Sequence, residues 1–140
     1  AEGYFYILGR TDDVINTAGH RLGTREIEEA VQANAAVAEC AVVGVHDTVK
    51  GQVPIAFVVL KDPTKAGAQM GKSVQDTVDK EIGAIARPGA VHFVTILPKT
   101  RSGKLLRRSI QAVCEGRDPG DLTTIEDPSA LQQIRDAVKA

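Results

Sequence analysis

The stretch Val37-Ala38-Glu39-Cys40-Ala41-Val42-Val43-Gly44-Val45-His46-Asp47-Thr48-Val49-Lys50-Gly51-Gln52-Val53-Pro54-Ile55-Ala56-Phe57-Val58-Val59-Leu60 decides the architecture. Residues 37–45 are apolar apart from Glu39, residues 53–60 form a second apolar run, and residues 46–52 make a polar connection between them. Apolar runs of this length without alternation suit strands buried on both faces. The pair therefore predicts the centre of one sheet.

Toward the C-terminus, residues 61–72 are rich in Lys, Gly, Asp and Pro and read as an exposed loop. Ser73 can cap a helix running to about residue 86, with Val74, Val78, Ile82 and Ile85 on one side, and Pro88-Gly89 stops it. Residues 90–97 predict a third core strand, and residues 98–104 a basic loop that cannot itself pack. A helix over 105–114 buries Leu106, Ile110 and Val113 and ends at Gly116. After the polar, acidic residues 117–127, Pro128-Ser129 opens a last short helix carrying Leu131, Ile134 and Val138.

Toward the N-terminus, Thr24 can cap a helix over 25–33 whose Ile27, Ala30 and Val31 form an apolar face. Glu26, Glu28 and Glu29 load the positive end of its dipole. Residues 14–17 read as a short strand reaching an Ala18-Gly19-His20 corner; residues 3–8 read as a leading strand and 11–13 as a turn, giving a two-stranded ribbon. The fold class expected is α+β, a three-stranded central sheet flanked by helices with this ribbon in front.

Composition agrees with a globular domain: 140 residues, 43% apolar and 25% charged. A chain of this size buries roughly two-thirds of its unfolded surface. No apolar run nears the roughly 20 residues that span a bilayer. The chain opens on Ala1 without a signal-peptide pattern, and reads as part of something longer. With 17 basic and 18 acidic residues, its charge supplies no drive toward nucleic acid or an anionic membrane. Cys40 and Cys114 form no CxxC pair, so reduced thiols in a cytoplasmic protein are expected. His20, His46 and His92 are isolated, and no metal site is assigned.

Two clusters stand apart from the core pattern. Residues 9–23 carry Arg10 and Arg21, the adjacent Asp12 and Asp13, and three glycines, Gly9, Gly19 and Gly23. Glycine lets a backbone approach a ligand closely and arginine grips phosphate with a fork of donors, although an ordinary solvated hairpin has the same composition. The second cluster is Lys99, Arg101, Lys104, Arg107 and Arg108, with no acid between Pro98 and Arg108. Ser102-Gly103-Lys104 is not a nucleotide-binding P-loop, because Leu105 follows the lysine and Pro98 stands where that motif has its first glycine. A solvated basic face, or a phosphate-binding or nucleic-acid binding module, fits equally; base-stacking aromatics are missing from the cluster.

In order and spacing, the two clusters resemble the C-terminal domain of adenylate-forming acyl-CoA synthetases. Gly9-Arg10-Thr11-Asp12-Asp13 is similar to that family's hinge motif, Gly19-His20-Arg21-Leu22-Gly23 and Glu26-Ile27-Glu28 to the stretch C-terminal to that hinge, and Leu97-Pro98-Lys99-Thr100-Arg101-Ser102-Gly103-Lys104 to its closing motif. The segment 114–135 is most similar to propionate–CoA ligases, with acetate–CoA ligases as runner-up.

The resemblance implies ATP-dependent activation of propionate, or another short-chain carboxylate, to an acyl-adenylate and pyrophosphate, then transfer to coenzyme A with release of AMP. It implies Lys104 as the catalytic lysine of adenylation, Asp12 as hinge, Arg10 and Arg21 on ATP or AMP, and Gly19, Ala18 and His20 beside coenzyme A. Residues 1–12 would close the interdomain hinge and leading strand, 13–116 form the mobile domain, and 117–140 a tail with a short helix. The implied partner is the protein's own N-terminal adenylation domain, which would hold most of the ATP and Mg2+ contacts and the acyl pocket. A lysine acyltransferase and a deacylase acting on Lys104 are implied as well. Two positions depart from the family pattern: Ala18, where acetate enzymes often have serine, and Asp79, where they often have an arginine for coenzyme A phosphates. The 140 residues alone are expected to be catalytically silent.

Overall fold

The structure is a computed structural model that describes residues 14–17, 19–48, 51–116 and 125–139. The two apolar runs become β3, Val37–Asp47, and β4, Gly51–Leu60, paired antiparallel from Val37↔Leu60 to Asp47↔Gly51. Both strands run further into the polar connection than its composition suggests, because a short hairpin continues the ladder to its end. A parallel strand β5, Ala90–Phe93, joins the other side of β4 in the register Ile55↔Ala90 to Val58↔Phe93. It is shorter than the apolar stretch 90–97, although Leu97 is still buried.

The ribbon pairs β1, Val14–Thr17, with β2, His20–Gly23. Its second strand thus begins at His20, the last residue of the expected corner, and continues through residues 21–23, while the leading strand 3–8 lies outside the described residues. Thr17↔Gly51 hooks the ribbon onto β4, so that the three-stranded sheet and the ribbon form one surface of five strands.

Helices cover both faces. α1, Thr24–Gln32, and α2, Ala68–Glu81, close one face over Ile27, Val31, Cys40, Val42, Val58, Val74 and Val78. The opposite face, with Ala41, Val43 and Phe57, receives Ile110 of α3, Arg107–Cys114, and Ile134 of α4, Ser129–Lys139. Alternation along β3 (Cys40 and Val42 against Ala41 and Val43) sends neighbours to opposite cores, which is why these runs show no polar period.

The starts of α1 and α2 differ from expectation. Gly23, not Thr24, is the N-cap of α1, and the buried Thr24 hydroxyl finds no hydrogen-bond partner. α2 begins at Ala68 rather than Ser73: Ala68, Gln69 and Met70 are strong helix formers, and Met70 packs on the core. That helix ends at Glu81, and residues 84–86 form a separate 3₁₀ turn, Ala84–Ala86. No helix among the described residues is long and apolar enough to cross a membrane.

His92 stacks on Phe57 with ring centroids 5.2 Å apart, and its burial lowers its pKa. The unfolded chain therefore takes up a proton near the ordinary histidine value while the folded chain resists it, so this group's contribution to stability is present above that value and falls away as pH drops. Thermal unfolding between pH 7.5 and 5.5 should show a fall in midpoint that is smaller in His92→Leu; identical falls would remove His92 from the account.

Candidate functional site

The basic segment is not a loose loop. Pro98 and Leu97 are buried at its root, Lys99 and Leu105 face each other as an antiparallel bridge, and the Leu106 N–H donates to the Pro98 carbonyl at 3.0 Å. At the tip the Thr100 N–H donates to the Lys104 carbonyl at 2.9 Å, the Gly103 N–H to the Thr100 carbonyl at 2.8 Å, and the Lys104 N–H to Thr100 Oγ1 at 3.1 Å. Gly103 has φ +90°, a conformation glycine takes without the steric cost of a Cβ. Local geometry thus makes a small hairpin with Lys104 exposed on its returning arm. α3 starts at Arg107, two residues after the start expected at 105.

The hairpin is braced from outside. Thr100 bridges to Ile125, and the Glu126 N–H donates to the Lys99 carbonyl at 2.9 Å, so the segment leading into α4 lies against the hairpin's outer arm. On the entry side, Lys99 Nζ is ion-paired with Glu39 of β3. On the exit side, Arg107 meets Glu28 of α1 twice, Nε to Oε2 at 2.9 Å and Nη2 to Oε1 at 2.5 Å, with side chains only 13% and 11% exposed. A cleft of about 390 Å³ lies between α1, the start of β3 and the hairpin; both pairs and the two neighbours of Lys104, Gly103 and Leu105, line it.

Glu28 does not do what its place in the first turns of α1 suggests. Rather than facing the helix dipole, it is buried and also accepts the Val42 N–H at 2.9 Å. A signal for this exists in the sequence: Thr24, Ile27, Glu28 and Val31 share one face of a 3.6-residue helix, which puts a carboxylate on a buried stripe. Glu39 and Arg107 likewise act as partners, so only part of the basic cluster is a solvated face.

At the ribbon tip, Gly19 is exposed with φ +86°, and a Cβ there would meet nothing within 4 Å. Arg21 is exposed and sits opposite Asn16 in the ribbon. His20 opens β2. Arg10, Asp12 and Ala18 lie outside the described residues. Asp79 and Lys80 are exposed on α2. Cys40 and Cys114 are free thiols, each pushed by burial up to about 12, which keeps them protonated and unreactive at neutral pH. Among the described residues no three His, Cys, Asp or Glu side chains gather as a metal site.

The two candidate loops are not brought together. Glu39, which anchors the lysine hairpin, is near the start of β3, whereas the ribbon hooks on through Gly51, opposite Asp47 at its far end. Eight residues of strand at about 3.3 Å each separate the anchors by about 26 Å.

Fold and site together define a small α+β domain that presents one lysine on a braced hairpin and a glycine turn at its other end. The chain belongs to the family of the AMP-binding enzyme C-terminal domain, whose model matches residues 26–104. It is 60% identical over 144 residues to the propionate–CoA ligase of Salmonella typhimurium, a match covering 99% of this chain and 23% of that protein. The propionate–CoA ligase of Escherichia coli is 61% identical over 145 residues, with the same shares covered. An acetyl-coenzyme A synthetase of Pyrobaculum arsenaticum is 52% identical over 136 residues, covering 97% of this chain and 20% of the relative. Among solved structures, a Brucella canis acyl-CoA synthetase superposes with a TM-score of 0.65 at 39% identity, over 69% of this chain and 18% of that one. The chain thus spans about a quarter of the length of the propionate–CoA ligases it matches.

Proposed function

We propose that this chain is the mobile C-terminal domain of a propionate–CoA ligase, working with an N-terminal adenylation domain that holds the acyl pocket and most contacts to ATP and its Mg2+. Propionate is favoured over acetate by the higher identity to propionate–CoA ligases. Residues 1–12, with Asp12, serve as the hinge; residues 13–116 swing as a body, and the tail 117–140 travels with them, its α4 packed in the same core as α3.

The observation that carries this reading is the separation of the lysine hairpin from the glycine turn along β3. That separation supports two poses of the domain, one for each half-reaction. In the first, Lys104 enters the adenylation site; its ammonium offsets the charge that grows as the propionate carboxylate attacks the α-phosphate, a carbon–oxygen–phosphorus linkage forms, and pyrophosphate leaves. Arg10 and Arg21 hold the nucleotide. In the second pose the lysine is withdrawn and Gly19, with Ala18 and His20, borders the pantetheine arm of coenzyme A; the thiolate attacks the acyl carbon and AMP departs. Acylation of Lys104 would remove its charge and stop the first step.

The test is a chimera in which this chain replaces the matching segment of the Escherichia coli propionate–CoA ligase. It should form propionyl-CoA from propionate, ATP and coenzyme A. Gly19→Leu in that chimera should retain propionate-dependent ATP–pyrophosphate exchange and lose thioester formation, because the added side chain fills the space left for the thiol arm. Equal loss of both half-reactions, in a variant whose melting temperature shows it folded, would refute the coenzyme A role.

A further inference from the structure

β3 is an edge strand, and three of its outward backbone groups are taken by side chains. The Val42 N–H goes to Glu28, the Gly44 carbonyl accepts from Gln111 Nε2 at 2.6 Å, and the His46 N–H goes to Glu115 at 2.9 Å. Arg107, Gln111 and Glu115 are spaced by four, one stripe of α3 and its C-cap. The stripe lies along the strand in order, so the helix is held in a single register on it, and Arg107 closes the row on the same carboxylate that Val42 uses. Lys104 is three residues before Arg107. A helix that could slip along β3 would carry the lysine with it.

We infer that Glu28 is a positioning residue for Lys104: by holding Arg107 and the edge of β3 at once, it fixes where the lysine hairpin leaves the domain, with Glu39 and Lys99 as the second, weaker hold on the opposite arm. The role of Glu28 rests on the adenylation role proposed for Lys104. The geometry is that of a clamp with two jaws. The buried bidentate pair has charge-assisted bonds in fixed fork geometry, while the Lys99–Glu39 pair, 31% and 46% exposed, is open to water and salt. Adenylation, which depends on placing one ammonium against developing charge, is sensitive to an ångström-scale displacement. The thioester half-reaction uses the other end of the domain and does not depend on this clamp.

In the chimera, Glu28→Gln keeps the shape and an acceptor for the Val42 N–H but loses the carboxylate that Arg107 grips. Its rate of propionate-dependent ATP–pyrophosphate exchange should fall roughly tenfold to a hundredfold with KM for ATP little changed, while thioester formation from supplied propionyl-adenylate stays within about twofold. Introduced beside Lys104→Ala, it should cost nothing further, since there is no lysine left to misplace. Glu39→Gln should give a smaller fall of about threefold in exchange alone, and it decides the matter if Glu28→Gln does not fold. Equal loss of both half-reactions, full exchange activity in either folded variant, or losses that multiply with Lys104→Ala would each overturn the clamp. Undiminished exchange in Lys104→Ala would instead overturn the functional reading on which it stands.

Discussion

Replacing Lys104 by alanine in the chimera should lower propionate-dependent ATP–pyrophosphate exchange about a hundredfold or more, while supplied propionyl-adenylate is still converted to propionyl-CoA. The size of the effect comes from the environment the lysine would enter. In a water-excluded site, one well-placed donor to developing charge contributes about 3 kcal/mol, or roughly two orders of magnitude in rate. The selectivity comes from the layout: Lys104 is exposed on a hairpin whose hydrogen bonds come from backbone groups, Thr100 and Ser102, so removing its side chain disturbs none of them. A stopped first step with an intact second step is the signature of a residue used in only one pose. Normal exchange in the alanine variant would remove Lys104 from the chemistry.

The largest effect on stability should come from Glu28→Ala. That change takes the carboxylate from a nearly buried Arg107, and it leaves the Val42 N–H at the edge of β3 without its acceptor. Removing one partner of a buried ion pair typically costs about 3–5 kcal/mol, a large share of a small domain's total stability. Urea unfolding of the 140-residue chain should therefore show a large drop in midpoint at an unchanged slope. By contrast Glu39→Ala, at a half-exposed pair, should cost under about 1 kcal/mol. Similar small losses for both would mean that water reaches the Glu28–Arg107 pair and screens it.

The contrast between those two glutamates shows what a sequence reveals and where it stops. The strands of residues 37–60 were legible because apolar runs with no polar period have few other uses, and α4 was legible from Leu131, Ile134 and Val138 at helical spacing. The start of α2 was obscured by Gly71, which interrupts residues otherwise suited to a helix. The second strand of the ribbon was hidden within a motif whose residues are polar and glycine-rich. Lys104 and Gly19 could be singled out by motif, while the pairs Glu28–Arg107 and Glu39–Lys99 could not be joined, because their members are 79 and 60 residues apart in the chain.

By itself, the sequence determined the central sheet, most of the amphipathic helices and the family resemblance, and it singled out Lys104 as a candidate, since each depends on local period or on a contiguous motif. Only the tertiary structure decided which helices cover which face of the sheet, that the basic segment is a braced hairpin, that Glu28 closes the edge of β3, and that the lysine and glycine turns stand at opposite ends of that strand. Those are relations between distant segments, set by packing and by charges that must find partners once water is excluded.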